Sequence, residues 1–439
     1  MTLLYRRITY ITFIIIFLIL APAAILYTQG FRYNFHYSRV QKTGIMIISS
    51  MPRRAQISLN GTVYDKDTTP TKVENMLPGD YEITLTKEGY HNWNKKLPIY
   101  ENNTTFAEDV ILWKDDYPVS ISQTTSTDWL ASPDNSKIAY ISNNQVVFFD
   151  TTNNSFVYPA DSQKLNKIKI LGWSNTSKKI IIKNQMADIT SYFVINSEQL
   201  PTPQLQKIIN YSYESLKWDI DSDNIIYGLA PGSGWKIDLF QNKHDRLLTG
   251  QVDDFIIKDD KIFTLESGNL FWRSLGTNQL VNPLEEINCQ NCKFINKKSS
   301  QLILFDNVSN QIYFVDPENR LQTIASQAKA INWLDDDTLL FYNDWEIWIY
   351  NLGTREPELI TRLGQKIQFA LWHTAGRHII FVSNNMIKII ELDNRELRNV
   401  VELVTPEKIT DWSIDSRGEI LYFSGQLNNK YGFYSLNIR

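Results

Sequence analysis

The chain has 439 residues, 43% hydrophobic and 21% charged, with 44 Lys and Arg against 48 Asp and Glu for a formal net charge of −4. That balance lacks the one-signed field on which nucleic acid recognition depends, so no nucleic acid partner is expected. An aromatic content of 13%, with 22 Tyr, 21 Phe and 12 Trp, suits strands that fill a core with large flat side chains and points to an all-β protein.

In chain order, residues 1–7 form a short N-terminus holding Arg6 and Arg7, and residues 8–28 read as a transmembrane helix. The segment Ile8 to Tyr27 carries no charge, and 20 helical residues reach about 30 Å, enough to cross the hydrocarbon of a bilayer. Arg6 and Arg7 are expected to hold the N-terminus in the cytoplasm and place the bulk of the chain outside it. Two features compete: Arg32, Arg39 and Lys42 lie just past the other end, and Ala21-Pro22-Ala23 has the look of a signal-peptide cleavage site. Segment length and the apolar run past that site favour an uncleaved, single-pass anchor. The juxtamembrane stretch 29–42 is rich in aromatics (Phe31, Tyr33, Phe35, Tyr37) of the kind that favour a headgroup layer.

Residues 43–113 change to short alternating strands broken by turn signals. Ile45 to Ile48 is a strand, and Ala55 to Leu59 pairs through Asn60-Gly61 with Thr62 to Tyr64, because Asn-Gly takes the positive φ values of a type I′ hairpin. Leu77-Pro78-Gly79-Asp80 fits a type II turn leading into a strand over Tyr81 to Thr86. The ordered phrases Pro52-Arg53-Arg54-Ala55, Asn60-Gly61, Thr69-Pro70, Leu77 to Tyr81, Lys87-Glu88-Gly89-Tyr90 and Trp93 make this stretch resemble a PEGA domain, a small extracytoplasmic β-sandwich. Arg53 and Arg54 stand where that family carries Glu-Gly. An anchor followed at once by such a domain is similar to bacterial membrane-anchored PEGA proteins, and the resemblance implies an envelope location.

Residues 114–118 form a short linker, and 119–439 carry a repeat. Each unit is led by an aromatic residue, at Trp129, Trp173, Trp218, Phe255, Phe294, Trp333, Trp372 and Trp412, spaced by about 37 to 45 residues, the period of propeller blades. No such unit can cover both its faces, so the units are expected to stack radially into a β-propeller of about eight blades, seven being the alternative. The last unit ends before a fourth strand, which Val119 to Ile121 is placed to supply. The phrase Trp-x-Ser-Pro-Asp resembles the TolB-type, WD40-like repeat, most closely at Ser132-Pro133-Asp134 and less so at Trp412 to Asp415.

No catalytic motif is found, and no catalytic, cofactor-binding or metal-binding residue is assigned. Gly232-Ser233-Gly234 lacks the spacing of a nucleophile elbow and reads as a hairpin. Asp219 to Asn224 begins like a calcium loop, but Asn224 and Ala230 occupy positions that need Gly and Glu, so a solvated turn is expected; the same holds for Asp335 to Asp337. His373 and His378 read as turn residues, and Cys289 and Cys292, a lone C-x-x-C, as a local disulfide or two quiet thiols. The lead tryptophans are assigned to the core. Trp235 and Trp345 follow the turns between second and third strands of their units, on one face of the ring, where rim aromatics can contact a sugar or a protein partner.

The expected molecule is therefore a membrane-anchored extracytoplasmic binding or scaffold protein, with Trp235 and Trp345 as ligand contacts and an envelope protein or cell-surface glycan as partner. The alternatives are an envelope glycosidase or lyase with paired carboxylates in the propeller channel, and an assembly factor like the Tol-Pal-type propellers.

Overall fold

A computed structural model describes all residues except 1, 2, 36, 37, 125, 161–164, 200–202, 209–211, 276–280, 287, 288, 290, 300, 317–320, 325 and 326; at 3, 4 and 281–286 only the backbone is described. Tyr37 thus lies outside the described residues. The chain divides into two compact units, one made of Met1–Asp115 with Asp393–Val401 and Arg439, the other of Asp116–Leu392 with Glu402–Ile438.

In the first unit, helix α1 (Leu3–Thr28) is long and apolar enough to cross a membrane, and starts five residues before the expected span. Its side chains from Ile8 to Leu20 are mostly more than half exposed, a state that water does not favour for isoleucine, leucine and phenylalanine. Next comes a hairpin, β1 (Phe31–Asn34) and β2 (Arg39–Lys42), which the sequence reading did not find. Seven further strands follow: β3 (Gly44–Met51), β4 (Gln56–Leu59), β5 (Thr62–Val63), β6 (Thr71–Met76), β7 (Gly79–Thr86), β8 (Trp93–Ile99) and β9 (Thr104–Ile111). They form two sheets, ordered β6-β3-β9 and β5-β4-β7-β8. Burial alternates along β3 and β8, so Met46, Ile48, Leu97 and Ile99 meet Ile57, Ile83, Leu85 and Trp93 in one core.

Asn60 (φ 49°) and Gly61 (φ 75°) form the expected tight hairpin between β4 and β5. Leu77 to Asp80 is different. It carries the chain from one sheet to the other, with Gly79 already in β7 at φ 150°, so it is a crossover and not a type II turn. Proline and glycine mark a break in pairing, but the partner sheet decides whether the chain doubles back. Within this unit Lys95, whose side chain is fully buried, donates to the Asp393 carbonyl at 2.8 Å and faces its carboxylate at 3.3 Å. Burial alone would raise the Asp393 carboxyl, but hydrogen bonds from Arg395 and the charges of Lys95 and Arg395 hold it down at about 2.

The second unit is the propeller. Its described residues contain eight four-stranded sheets. Their lead strands are Thr127–Ala131, Ile168–Trp173, Ser215–Trp218, Asp254–Lys258, Cys292–Phe294, Ala330–Trp333, Ile367–Trp372 and Lys408–Ile414, here blades 1 to 8. Contacts between blades are made by lead strands, with the lead or second strand of the blade before, which places the lead strands innermost around the axis. Closure takes the expected form. Strand β10 (Val119–Ser122) pairs with the last strand of the chain, Lys430–Asn437, and completes blade 8. Phe433 then packs against Trp129 at 5.0 Å and Phe149 at 4.9 Å between ring centroids, so the first and last blades share one core.

The lead tryptophans occupy two registers. Trp173 and Trp372 stand one residue before the residue that donates its N–H across the first turn (Ser174, His373), whereas Trp129 and Trp412 stand three before it (Ser132, Asp415). Trp173, Trp218 and Trp372 are buried; Trp129, Trp333 and Trp412 are half-buried. Trp173 donates its indole N–H to the Leu130 carbonyl in the preceding blade, and Trp218 does the same to Gly172, so these rings both fill space and link blades.

Candidate binding cleft

In antiparallel blades the turn between second and third strands lies on the same face of the ring as the loop entering each lead strand. On that face blades 3, 4 and 5 enclose a cleft of about 640 Å³. Its lining comes from the turns Pro231-Gly232 and Ser267-Gly268, from Glu214, Gln251 and Asp253 on the entry loops, and from Asn291, Lys293 and the Cys289–Cys292 pair. Gly232 (φ 68°) and Gly268 (φ 80°) supply the left-handed residues that let both hairpins turn within two residues. Gly232-Ser233-Gly234 is therefore part of a hairpin, with Ser233 and Gly234 opening the next strand.

Below the cleft, three successive lead strands are joined by polar contacts. Lys217 of blade 3 donates to Asp254 Oδ2 of blade 4 at 2.5 Å, and the same oxygen accepts the Phe294 N–H of blade 5 at 2.7 Å. Lys217 also donates to the Phe294 carbonyl at 3.3 Å. Asp254 is 1% exposed, and burial pushes the Lys217 ammonium below the ordinary lysine range, against the pull of the Asp254 charge.

The cleft wall is tied to this frame. Lys293 donates to the Asp253 carbonyl at 2.5 Å, and Asp253 Oδ2 accepts the Ser267 N–H at 2.7 Å. Asn291 is fixed through its N–H to Asp306 at 3.2 Å. Burial would raise the Asp306 carboxyl, but the Ser309 hydroxyl and the N–H groups of Val308 and Asn291 bring it below the usual carboxylate range. Cys289 and Cys292 form a disulfide with Cα atoms 5.9 Å apart, which settles the two readings of that pair for the local disulfide. The result is a polar concavity with a carboxylate, an amide and a disulfide on its walls, suited to a hydrogen-bonding ligand surface more than to an apolar molecule.

Trp235 and Trp345 both belong to this face, but in different settings. Trp235, the third residue of its strand, is partly buried against the core between blades 2 and 3, and its indole N–H donates to Ser233 Oγ at 2.9 Å. Trp345 lies in the blade 6 turn and is 45% exposed. Asn343 Oδ1 accepts both the Trp345 and Glu346 N–H groups at 2.8 Å, and Lys329 and Lys366 both pair with Asp344, so the turn that carries the ring is held from several sides.

The carboxylates of Asp219, Asp221 and Asp223 go to three different partners: Tyr227, Lys298 and Thr176. His373 is fully buried. Its Nδ1 accepts the Ala375 N–H at 3.2 Å, which leaves Nε2 to donate to the Gly418 carbonyl at 2.9 Å, so it joins the first turns of blades 7 and 8. The His378 ring lies 6.1 Å from it, edge to face. On the lead strands of blades 8 and 1, Asp411 and Asp128 are close enough to interact: burial raises the Asp411 carboxyl, a hydrogen bond from Thr410 opposes it, and the Asp128 charge adds a smaller upward push.

Residues 43–110 match the PEGA domain family, so the sandwich is a PEGA domain. None of the curated proteins matches the sequence. Among solved structures, the chain is similar to that of a eukaryotic initiation factor (15% identity, TM-score 0.47, 71% of this chain and 88% of that one). It is also similar to one from the mitotic checkpoint complex (14%, 0.40, 62% and 87%) and to the RRP9 WD40 repeats (8%, 0.41, 74% and 100%). At these values the likenesses say nothing of function. The propeller assignment rests on the eight sheets and their closure.

Proposed function

We propose that this chain is a single-pass membrane protein of the cell envelope whose propeller, held outside the cytoplasm, acts as a scaffold that recognises a protein or a glycan on the face of the blade 3–5 cleft. The observation that carries the reading is the cleft itself: its polar walls are fixed by a buried ion pair and a disulfide, and the exposed Trp345 shares its face. A disulfide persists most readily in an oxidising compartment, which supports the extracytoplasmic side. The apolar helix α1 and the PEGA domain support the anchor and the envelope.

The test is crosslinking in intact cells, comparing the natural chain with a Glu214→Ala, Asn291→Ala double variant and with Trp345→Ala. Loss of one specific protein or carbohydrate adduct in these variants, with folding unchanged, supports recognition at this face. Adducts identical in all three chains overturn it. Protease treatment of intact cells tests topology separately, since full protection of the propeller in a single-membrane cell contradicts the outside location.

A second reading, an enzyme working in the channel, draws on the Asp411–Asp128 pair. One carboxyl with a raised pKa beside another is the arrangement that acid–base hydrolysis of glycosides uses. It requires turnover of a polysaccharide by the purified chain that Asp411→Asn abolishes.

A further inference from the structure

The hairpin of β1 and β2 is built inside out for a protein in water. Phe31, Tyr33, Val40 and Lys42 share one face by register, and Tyr33 is 48% and Val40 55% exposed, with Phe35 at the tip 85% exposed. The opposite face holds Arg32, Asn34, Arg39 and Gln41, of which Asn34 and Gln41 are 4% and 5% exposed and Arg39 is exposed. Asn34 and Gln41 thus face inward while Tyr33 and Val40 face outward, the reverse of the usual alternation.

The position of this face identifies what covers it. Helix α1 ends at Thr28, and Gly30 turns the chain directly into β1 at φ 85°. The Gly30 carbonyl accepts the Thr43 N–H at 3.0 Å, which closes the hairpin at its base. Arg32 fastens it to the helix end: its guanidinium lies 3.6 Å over the Tyr27 ring, donates to the Tyr27 carbonyl at 2.8 Å, and reaches Asn75 Oδ1 at 2.7 Å. If α1 spans the bilayer, the hairpin is held in the interfacial layer, where aromatic residues are most favourable.

Charge gives the second constraint. The first acidic residue in this sequence is Asp65, so Arg32, Arg39 and Lys42 form a basic cluster along the sequence just after the helix end. Arg39 is exposed near the tip on the Asn34–Gln41 face, where its Nε donates to Gln41 Oε1 at 3.0 Å, and the Lys42 ammonium lies 5.4 Å from the Phe31 ring on the apolar face. Cations mixed with aromatics next to a membrane exit match anionic headgroups.

We propose that the hairpin of β1 and β2 is a membrane-surface foot: Tyr33, Phe35 and Val40 enter the interface of the bilayer from which α1 emerges, while Lys42 on that face and the exposed Arg39 beside the tip bind the headgroups of anionic phospholipids. The proposal rests on the reading of α1 as an uncleaved membrane span and adds a lipid preference to it.

The test uses the full chain reconstituted into phosphatidylcholine vesicles with and without phosphatidylglycerol, with an environment-sensitive fluorophore attached at Val40→Cys. Co-flotation with the vesicles and resistance to alkaline carbonate are scored first. Insertion, a blue-shifted emission, and quenching by shallow spin-labelled lipid that grows with phosphatidylglycerol support the proposal. Arg39→Glu and Lys42→Glu, each with the same label, then shift the docked-to-undocked ratio by about five-fold or more. A chain that inserts while the label stays water-like in both lipids overturns the foot and leaves the anchor intact. Burial of the label that is equal with and without phosphatidylglycerol overturns the headgroup assignment. A chain that fails to co-float overturns the anchor, and the foot with it.

Discussion

The closing seam of the propeller and its middle blades both pack apolar side chains between sheets, but the middle blades add buried polar links between their lead strands. Where blades 8 and 1 meet, Phe433, Phe149, Tyr422, Trp129 and Tyr140 fill the space between sheets with rings. Where blades 3, 4 and 5 meet, Lys217, Asp254 and the Phe294 backbone join the lead strands, and the rim above them is held by Lys293, Asp253 and a disulfide. Aromatic packing is non-directional and fills whatever volume is offered, so it leaves little room at the rim. Polar links act at fixed points and hold a gap open between them. The regular repeats seal the ring, and the irregular ones leave the cleft.

The largest effects test whether the two seams are held as described. Phe433→Ala is expected to cost about 3–5 kcal/mol, as a large ring lost from a packed core, read as a lower guanidinium midpoint of the full chain in detergent. Lys217→Ala falls in the same range of about 3–5 kcal/mol, because it strands the Asp254 carboxylate without its partner. The double change Lys217→Met with Asp254→Leu separates them: it restores a midpoint near the natural one, since replacing both members of a buried pair is often neutral. If the double variant is as unstable as Lys217→Ala, the loss does not come from a stranded Asp254 charge.

Gly418→Ala is expected to cost roughly 1–3 kcal/mol, because a side chain is strained at φ 70° and its Cβ meets the Thr374 Oγ1 and, at 2.6 Å, His373 Nε2. A background carrying both Thr374→Ala and His373→Ala removes the steric part and shows how much is backbone. Reduction of Cys289–Cys292 lowers stability by about 2 kcal/mol at most, since the bridge closes only a short loop; a thermal melt with and without dithiothreitol reads it. The smallest change is Asp411→Asn. Burial and Asp128 raise the folded-state pKa of Asp411, so its contribution to stability is present below the unfolded carboxylate range and is lost as pH rises through the raised value. Asp411→Asn therefore gives a slight gain at neutral pH that disappears on acidification.

Much of the architecture was legible because it follows from periodicity. A forty-residue aromatic repeat needs radial neighbours, and the missing fourth strand of blade 8 pointed to Val119 to Ile121, which β10 supplies. Asn60-Gly61 was legible because the turn is local. Leu77 to Asp80 and the two tryptophan registers were not, since each depends on which strand lies opposite. The candidate site was less legible still. Trp345 and the cysteine pair stood out as residues, but Asp253, Lys217 and Asn291 carry no motif, and only a lysine and an aspartate about one blade apart could have hinted at the pair.

By itself, then, the sequence determined an apolar helix, a small sandwich and a closed ring of blades, because each comes from short-range patterns of apolar and turn residues. The tertiary structure decided where the ring is held by charge, which walls form a cleft, and that the β1–β2 hairpin turns Tyr33 and Val40 outward. Those features depend on residues far apart in the chain or on which face of a strand pair is covered, and neither distance nor cover is written in a local pattern.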